Sequence, residues 1–331
     1  MSGKRKVSRE AILGMLVVAF MAFLALTSNF DSKSGIYSMM LDVSPSIVGA
    51  IAMSMVIITG NIDISAGTIL GFVAFAAGSL AEVGAPAWIF IPAGILMGIC
   101  LAGLNGWISV TFKVPSIVVT LAMNMVHLGF YATFLPNAGW VENLKDNFTW
   151  LGRGRFFDLV PYIFVIALLV AVLFMYIMKN TRFGKSLYAV GGNRQAAIYA
   201  GINPDRTVIK VYLVEGLLLG VAGILKATTA NEIMPSAFQG REMIFISAAV
   251  VGGVSILGGG GKVLGAVFGA FLVYLLSIAM IYLGFQDYFQ FSLQGIIVLI
   301  AVFVTVTDFT ELRKRMRRAF TRAGRARKAR A

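Results

Sequence analysis

Long apolar runs broken by short polar ones dominate the chain. Windows of about 20 residues, the length of helix that crosses a bilayer's hydrocarbon core, fall near 11–28, 45–60, 65–83, 87–109, 115–135, 159–178, 211–229, 243–258, 263–283 and 289–308. The second, third and eighth are short for a full crossing. The pattern predicts an all-α polytopic membrane protein with about ten transmembrane helices, some broken or short. One membrane domain would cover 11–308, between a basic stretch at 1–10 and a basic tail at 309–331. Ala11 to Leu26 reads as a retained first helix, because Thr27-Ser28-Asn29-Phe30 offers no small-x-small cleavage site.

The most informative polar interruption is 179–210. It carries Lys179, Arg182, Lys185, Arg194, Arg206 and Lys210 against a single acid, Asp205. Asn193 can cap a helix with its side-chain oxygen, Arg194 to Ala200 contains no breaker, and Gly201 can take the left-handed conformation that ends one. Seven residues make a rod about 10 Å long, too short to stand alone in water. Something must hold it. Asn203-Pro204 then restarts a helix.

A second polar spot, Gly60-Asn61-Ile62-Asp63-Ile64-Ser65-Ala66-Gly67, separates two apolar windows. A helix running straight on would put Asp63 in hydrocarbon, at roughly 2.5–3.5 kcal/mol near the bilayer centre. A break avoids much of that cost, provided protein or water covers the exposed backbone. Asp63 or Ser65 can cap the helix that follows. Two readings stay open: a capped re-entry of structural purpose, or contact of Asn61, Asp63 and Ser65 with a polar solute. Asn124, close to the only histidine, His127, joins the pathway candidates. A proton relay needs further ionisable groups in register, and only Glu215 is at hand. His127 therefore reads as a packed or pore-lining residue. Glu215 is expected near the inner end of its helix, neutralised by Lys210.

Composition agrees with the pattern: 58% of the 331 residues are hydrophobic and 13% charged, against about 25% charged in soluble domains. The net charge of +13 lies at membrane flanks, with four bases before Ala11 and ten after Leu312. Such clusters orient a chain and touch anionic lipid. Nothing interleaves aromatics with bases as a nucleic-acid module would, so no nucleic-acid partner is expected. With both termini inside, inner segments hold 22 bases and outer segments six, the bias expected of inner loops. The outer loops carry most of the acids, either as a solvated rim or as contacts to an extracytoplasmic partner.

Gly261, Gly265 and Gly269 recur every four residues, a spacing that lets helices approach closely in lipid. The run ending at Lys262 is not a phosphate loop. Ile256 stands where its first glycine would be, and Val263 replaces the Ser/Thr. Cys100 is alone, so neither an internal disulfide nor a CxxC metal site exists. No nucleophile–base–acid set appears, and the chain does not read as an enzyme.

Four segments, taken in order over about 45–308, resemble the permease subunits of bacterial ATP-binding-cassette monosaccharide importers, the ribose, arabinose, xylose and autoinducer-2 permease group. Gly60-Asn-Ile-Asp-Ile-Ser65 is similar to that family's Gly-Gly-Ile-Asp-Leu-Ser. Asn105-Gly106 with Lys113-Val-Pro115-Ser-Ile-Val-Val-Thr120-Leu resembles its Asn-Gly and Lys-Val-Pro segment. Thr181 to Ile202 resembles its cytoplasmic coupling loop, and Glu242 with Ile246-Ser-Ala-Ala-Val-Val-Gly252-Gly its Tyr-Glu-Leu region. Asn61 replaces a glycine, Gln195 a glutamate and Arg241 a tyrosine.

The resemblance implies a bacterial inner-membrane permease importing a small sugar-like solute. Its partners would be an ATPase subunit, a second identical or homologous permease, an extracytoplasmic solute-binding protein and membrane lipid. ATP and Mg2+ would reside in the ATPase, with no cofactor in this chain. Gly192, Asn193, Arg194, Gln195, Ala196, Ala197 and Gly201 would form the coupling helix, with Ala196 and Ala197 allowing close contact to the ATPase. Arg241 and Glu242 would face the receptor. An ion-coupled secondary transporter of a small polar solute is the competing reading. The orientation is directly testable: in a Cys100→Ser background, Lys145→Cys should react with a membrane-impermeant thiol reagent applied outside, and Asn193→Cys should not.

Overall fold

A computed structural model describes residues 9–27, 33–142 and 144–285, with scattered positions from 289 to 300. The tenth apolar window, the first eight residues and the basic tail lie essentially outside the described residues. The rest is helical: α1 (Arg9–Thr27), α2 (Lys33–Ile58), α3 (Ala66–Glu82), α4 (Ala87–Phe112), α5 (Ser116–Phe134), α6 (Asp146–Arg153), α7 (Tyr162–Asn180), α8 (Arg182–Gly192), α9 (Arg194–Tyr199), α10 (Pro204–Ala227), α11 (Arg241–Val251) and α12 (Val263–Tyr282). The only strands among the described residues are Arg155–Phe156 and Val160–Pro161, paired in a small hairpin. Six helices, α2, α4, α5, α7, α10 and α12, are long and apolar enough to cross a membrane; α1 and α3 are shorter and apolar.

α2 is the axis of the bundle. Every residue from Val43 to Ile58 is buried, packed by α7, α10, α11 and α12. It is longer than its 45–60 window because Ser34, Ser38 and Asp42 weaken the apolar signal in its first turns. Asp42 is paired there with Lys226 at 2.9 Å. All five ion pairs among the described residues, including Lys262–Glu10 and Arg194–Asp205, join partners that the charge count puts on one side.

Glycine decides how closely the helices pack. α4 carries Gly94, Gly98, Ala102 and Gly106 at four-residue intervals, all buried. This stripe lies against α10, where a Cβ on Gly98 would collide with the Gly216 carbonyl and a Cβ on Gly216 with that of Gly98. Backbone-to-backbone approach of this kind is a principal source of helix association in lipid. The α11–α12 contact is similar: side chains on Gly265 or Gly269 would strike the carbonyls of Gly252 and Ala248. Gly261 departs from the expected stripe. It precedes α12, with φ +124° and Val254 beside it.

The window 243–258 is realised differently from a full helix. α11 has 11 residues, about 16 Å, roughly half a hydrocarbon core. The other half of the crossing is irregular backbone with one short 3-10 turn, Pro235–Phe238, folded down the side of α3. Ile233 bridges to Val141 and lies over Gly78, the Pro235 carbonyl lies over Gly71, and Glu242 lies over Gly67. Glycines at these α3 positions leave room for the descending chain, and the surrounding protein covers it as such a segment requires.

Because the α4–α10 seam has no free volume, overpacking it should separate the helices. Gly98→Leu is expected to cost about 1–3 kcal/mol or more, read as a lowered unfolding temperature of the detergent-purified protein, whereas Gly129→Ala, with nothing within 4 Å of the added carbon, should leave it unchanged.

Candidate functional site

α2 ends at Ile58, and Gly60 adopts φ +80°, turning the chain out of the helix. The segment to Ser65 makes no helical hydrogen bonds of its own at Ile62 and Ile64. Their N–H groups donate instead to side chains on α5: Ile62 N to Ser116 Oγ at 3.2 Å, and Ile64 N to Thr120 Oγ1 at 3.0 Å. Ser116 and Thr120 are one turn apart, so both hydroxyls face the break from a single side of α5. Thr120 Oγ1 also donates to the Ile62 carbonyl at 3.3 Å.

Asp63 turns the opposite way, towards α4. Its Oδ1 accepts the N–H and the hydroxyl of Ser65, each at 2.6 Å, and Asn105 Nδ2 donates to Oδ2 at 3.3 Å. Asn105 Nδ2 also reaches Ser65 Oγ at 2.8 Å. Asp63, Ser65 and Asn105 are all fully buried. Ser65 occupies the cap position of α3, but its hydroxyl makes no cap bond, because it is committed to Asp63. In this conformation Asp63 and Ser65 belong to a closed structural network. Asn61 is separate: half-buried, it donates to Thr59 Oγ1 at 3.0 Å. It lines a cavity of about 370 Å3 together with Lys113, Ser116, Arg194 and Asp205.

Thr68, His127 and Tyr131 extend the polar core. Thr68 Oγ1 donates to the Ser65 carbonyl and lies 2.9 Å from His127 Nδ1. When the Thr68 proton is on the Ser65 carbonyl, Thr68 accepts from His127 Nδ1. His127 is 3% exposed, with its ring edge against Phe72 at 5.2 Å, and the Tyr131 hydroxyl donates to the Thr68 carbonyl. His127 is packed, as expected. Asn124 is buried beside it, its Oδ1 without a partner among the described residues.

Two expectations need correction. Glu215 does not lie at the inner end of its helix beside Lys210. It is mid-way along α10 and fully buried, with neither carboxylate oxygen partnered among the described residues. Five residues turn a helix by about 140°, so exposed Lys210 points away from it. Glu242 does not face an outer receptor. It is 6% exposed, accepts the Gly240 N–H at 3.0 Å and abuts Gly67, while Arg241 is half-buried. The polar run 231–242 looked like an outer loop; α3's glycines let it fold inwards.

The 179–210 island contains the expected short capped helix, ending one residue earlier at Tyr199, and before it a second helix, α8, that the breaker-free run at 194–200 did not announce. Asn193 Oδ1 accepts the Ala196 N–H at 2.9 Å and caps α9. Gly201, at φ +77°, closes it, with Gly201 N bonded to the Ile198 carbonyl and Ile202 N to that of Ala197, each at 2.9 Å. Asn203 caps α10 through the Arg206 N–H at 3.0 Å. Gly192, Asn193, Arg194, Gln195, Ala196 and Gly201 are exposed, but Ala197 is buried at 2%. Ala197 therefore seats α9 on its own protein and is not part of an outward contact. The exposed apolar residues are Ile198 and Tyr199, at 47% and 82%. Sequence reasoning passed over both, although they lie two and three residues beyond Ala196.

What holds this island is backbone contact. Gly259 N donates to the Ile58 carbonyl at 2.8 Å, and any side chain on Gly191 would strike that same carbonyl. A Cβ on Gly259 would come within 2.6 Å of Gly192 Cα, and the Tyr188 hydroxyl donates to the Gly261 carbonyl at 2.9 Å. The end of α8, the end of α2 and the glycine loop 258–261 thus meet one residue before the Asn193 cap and two before Gly60.

Removing the α5 hydroxyls tests the break. Thr120→Val keeps the shape but removes the acceptor of the half-buried Ile64 N–H and should cost about 1 kcal/mol, measured by thermal unfolding in detergent. Thr120→Ser, which retains the hydroxyl, should restore most of it.

Comparison with known proteins assigns the architecture. Residues 35–302 match the family described as "Branched-chain amino acid transport system / permease component". The chain is 29% identical to the ribose import permease protein RbsC of Escherichia coli K12, over 92% of this chain and 97% of the relative. It is 30% identical to the L-arabinose ABC transporter permease protein AraH of Azospirillum brasilense, over 95% and 90%. To the autoinducer 2 import system permease protein LsrC of Photorhabdus luminescens it is 31% identical, over 76% and 75%. No solved structure matches. With a buried polar break inside an apolar helical bundle and a family match over most of its length, the chain belongs to the permease components of ATP-binding-cassette transporters, multi-pass proteins of the bacterial inner membrane that are not themselves catalytic.

Proposed function

We propose that this permease imports a small, uncharged, sugar-like solute, driven by a separate ATPase that grips α9 from the cytoplasm. The observation that carries this reading is the presentation of α9. A six-residue helix is capped at both ends, seated by buried Ala197, and shows Ile198, Tyr199, Arg194 and Gln195 outwards. An exposed isoleucine–tyrosine pair on a rigid, polar-rimmed helix fits helix-in-groove recognition, and aromatic anchors dominate such contacts. ATP and Mg2+ belong to the ATPase. A second permease copy or homologue and an extracytoplasmic solute-binding protein complete the assembly.

Coupling then has a short physical route. Movement of α9 pulls on Gly191–Gly192, which are packed on the Ile58 carbonyl and on Gly259. Ile58 and Gly60 lead straight into the Asn61–Ser65 break, and Arg194 shares a cavity with Asn61. Shifting the break off Ser116 and Thr120 exchanges one set of hydrogen bonds for another, which suits an element with two discrete states. The polar groups nearest this route, Ser65, Thr68, Asn105, Thr120 and Asn124, are hydroxyls and amides, the groups that pair with sugar hydroxyls. The relatives named for ribose, arabinose and autoinducer 2 support the same solute class.

The experiment is uptake of labelled monosaccharides in cells expressing the complete transporter. Uptake should persist with an uncoupler and stop on ATP depletion. Ile198→Asp with Tyr199→Ala should lower it by about tenfold or more at unchanged membrane abundance. Uptake that survives ATP depletion and collapses with the uncoupler would establish the ion-coupled alternative instead.

A further inference from the structure

A cavity of about 770 Å3 opens at the inner membrane boundary between the last turn of α7, α8 and the first turn of α12. Its rim carries Lys179, Lys185 and Lys262, and Met175 and Leu264 contribute to an apolar wall. Tyr188 stands between the two sides, bonded to the Gly261 carbonyl. Lys262 is engaged by Glu10 at 2.9 Å. Lys179 and Lys185 are exposed and form no ion pair among the described residues. Both α7 and α12 have their inner ends here, so the lysines sit at headgroup depth and the apolar wall faces the acyl region.

We propose that this cavity binds an anionic phospholipid, with the phosphate between Lys179 and Lys185 and an acyl chain along Met175 and Leu264. Charge complementarity selects the headgroup, since two cations at this depth with no acidic partner among the described residues favour an anionic lipid. The apolar wall selects a lipid over a soluble anion or an acidic protein surface, neither of which gains from burying hydrocarbon. The bound molecule would bridge α7–α8 to the start of α12, next to the glycine loop that clamps Gly191. The site does not depend on the reading of α9 as the ATPase contact.

The test is native mass spectrometry of the purified, delipidated full chain titrated with phosphatidylglycerol, phosphatidylcholine or inorganic phosphate. The wild-type chain should take up phosphatidylglycerol in preference to phosphatidylcholine and hold no phosphate. Lys179→Gln with Lys185→Gln should weaken phosphatidylglycerol binding by about fivefold for each lysine removed. A charge-matched pair in the basic tail, Arg325→Gln with Lys328→Gln, should leave the tightest-bound lipid in place. Both pairs are tested for unchanged thermal unfolding in phosphatidylcholine. Equal loss in the two variants would reduce the effect to net charge and overturn the site. Phosphate bound as well as phosphatidylglycerol, or no preference between the two lipids, would also overturn it.

Discussion

The structure depends on satisfying a few backbone amides where the chain stops being helical inside an apolar bundle. Between Gly60 and Ser65 the N–H groups of half-buried Ile62 and Ile64 have no helical carbonyl to bond. Ser116 and Thr120 supply the missing acceptors from one face of α5, while Asp63 satisfies the Ser65 N–H and is itself tied to Asn105 on α4. The break therefore fixes α2, α3, α4 and α5 to one another. An unpaired buried amide costs about 1–3 kcal/mol, so these hydroxyls are part of the scaffold as much as of any pathway.

Close backbone contact through glycine does the rest. The α4–α10 seam and the α11–α12 seam are both places where a single added carbon would strike a carbonyl oxygen. The same device joins the 179–210 island to the interior. Gly191, Gly192 and Gly259 gather around the Ile58 carbonyl, with α9 on one side and the polar break on the other. Glycine contacts of this kind are stiff in compression and carry few side-chain rotamers.

Much of this was legible in the chain. The capping of α9 by Asn193 and its closure at Gly201 followed from local chemistry alone, because caps and left-handed turns are decided by residues within a few positions of one another. The charge bias fixed which ends face together, and the ion pairs respect it. The half-helix at 241–251 was not legible. Its apolar window looks like that of any short crossing, and the descent of 233–242 along α3 depends on glycines more than 150 residues away. Glu242 was misplaced for the same reason: a polar run is read as exposed unless something distant buries it. Ala197 was placed on the wrong side of its helix, since six residues do not reveal which face is seated.

The sequence by itself determined that the chain is a helical membrane protein, which loops carry the positive charge, and that a short capped helix stands in the 179–210 island. These are properties of composition and of neighbours along the chain. Only the tertiary structure decided that Ser116 and Thr120 hold the break, that Asp63 is closed off by Asn105, and that Glu215 and Glu242 lie inside. Each of these pairings joins groups on different helices, where the partner is chosen by which side chains are absent at the contact as much as by which are present.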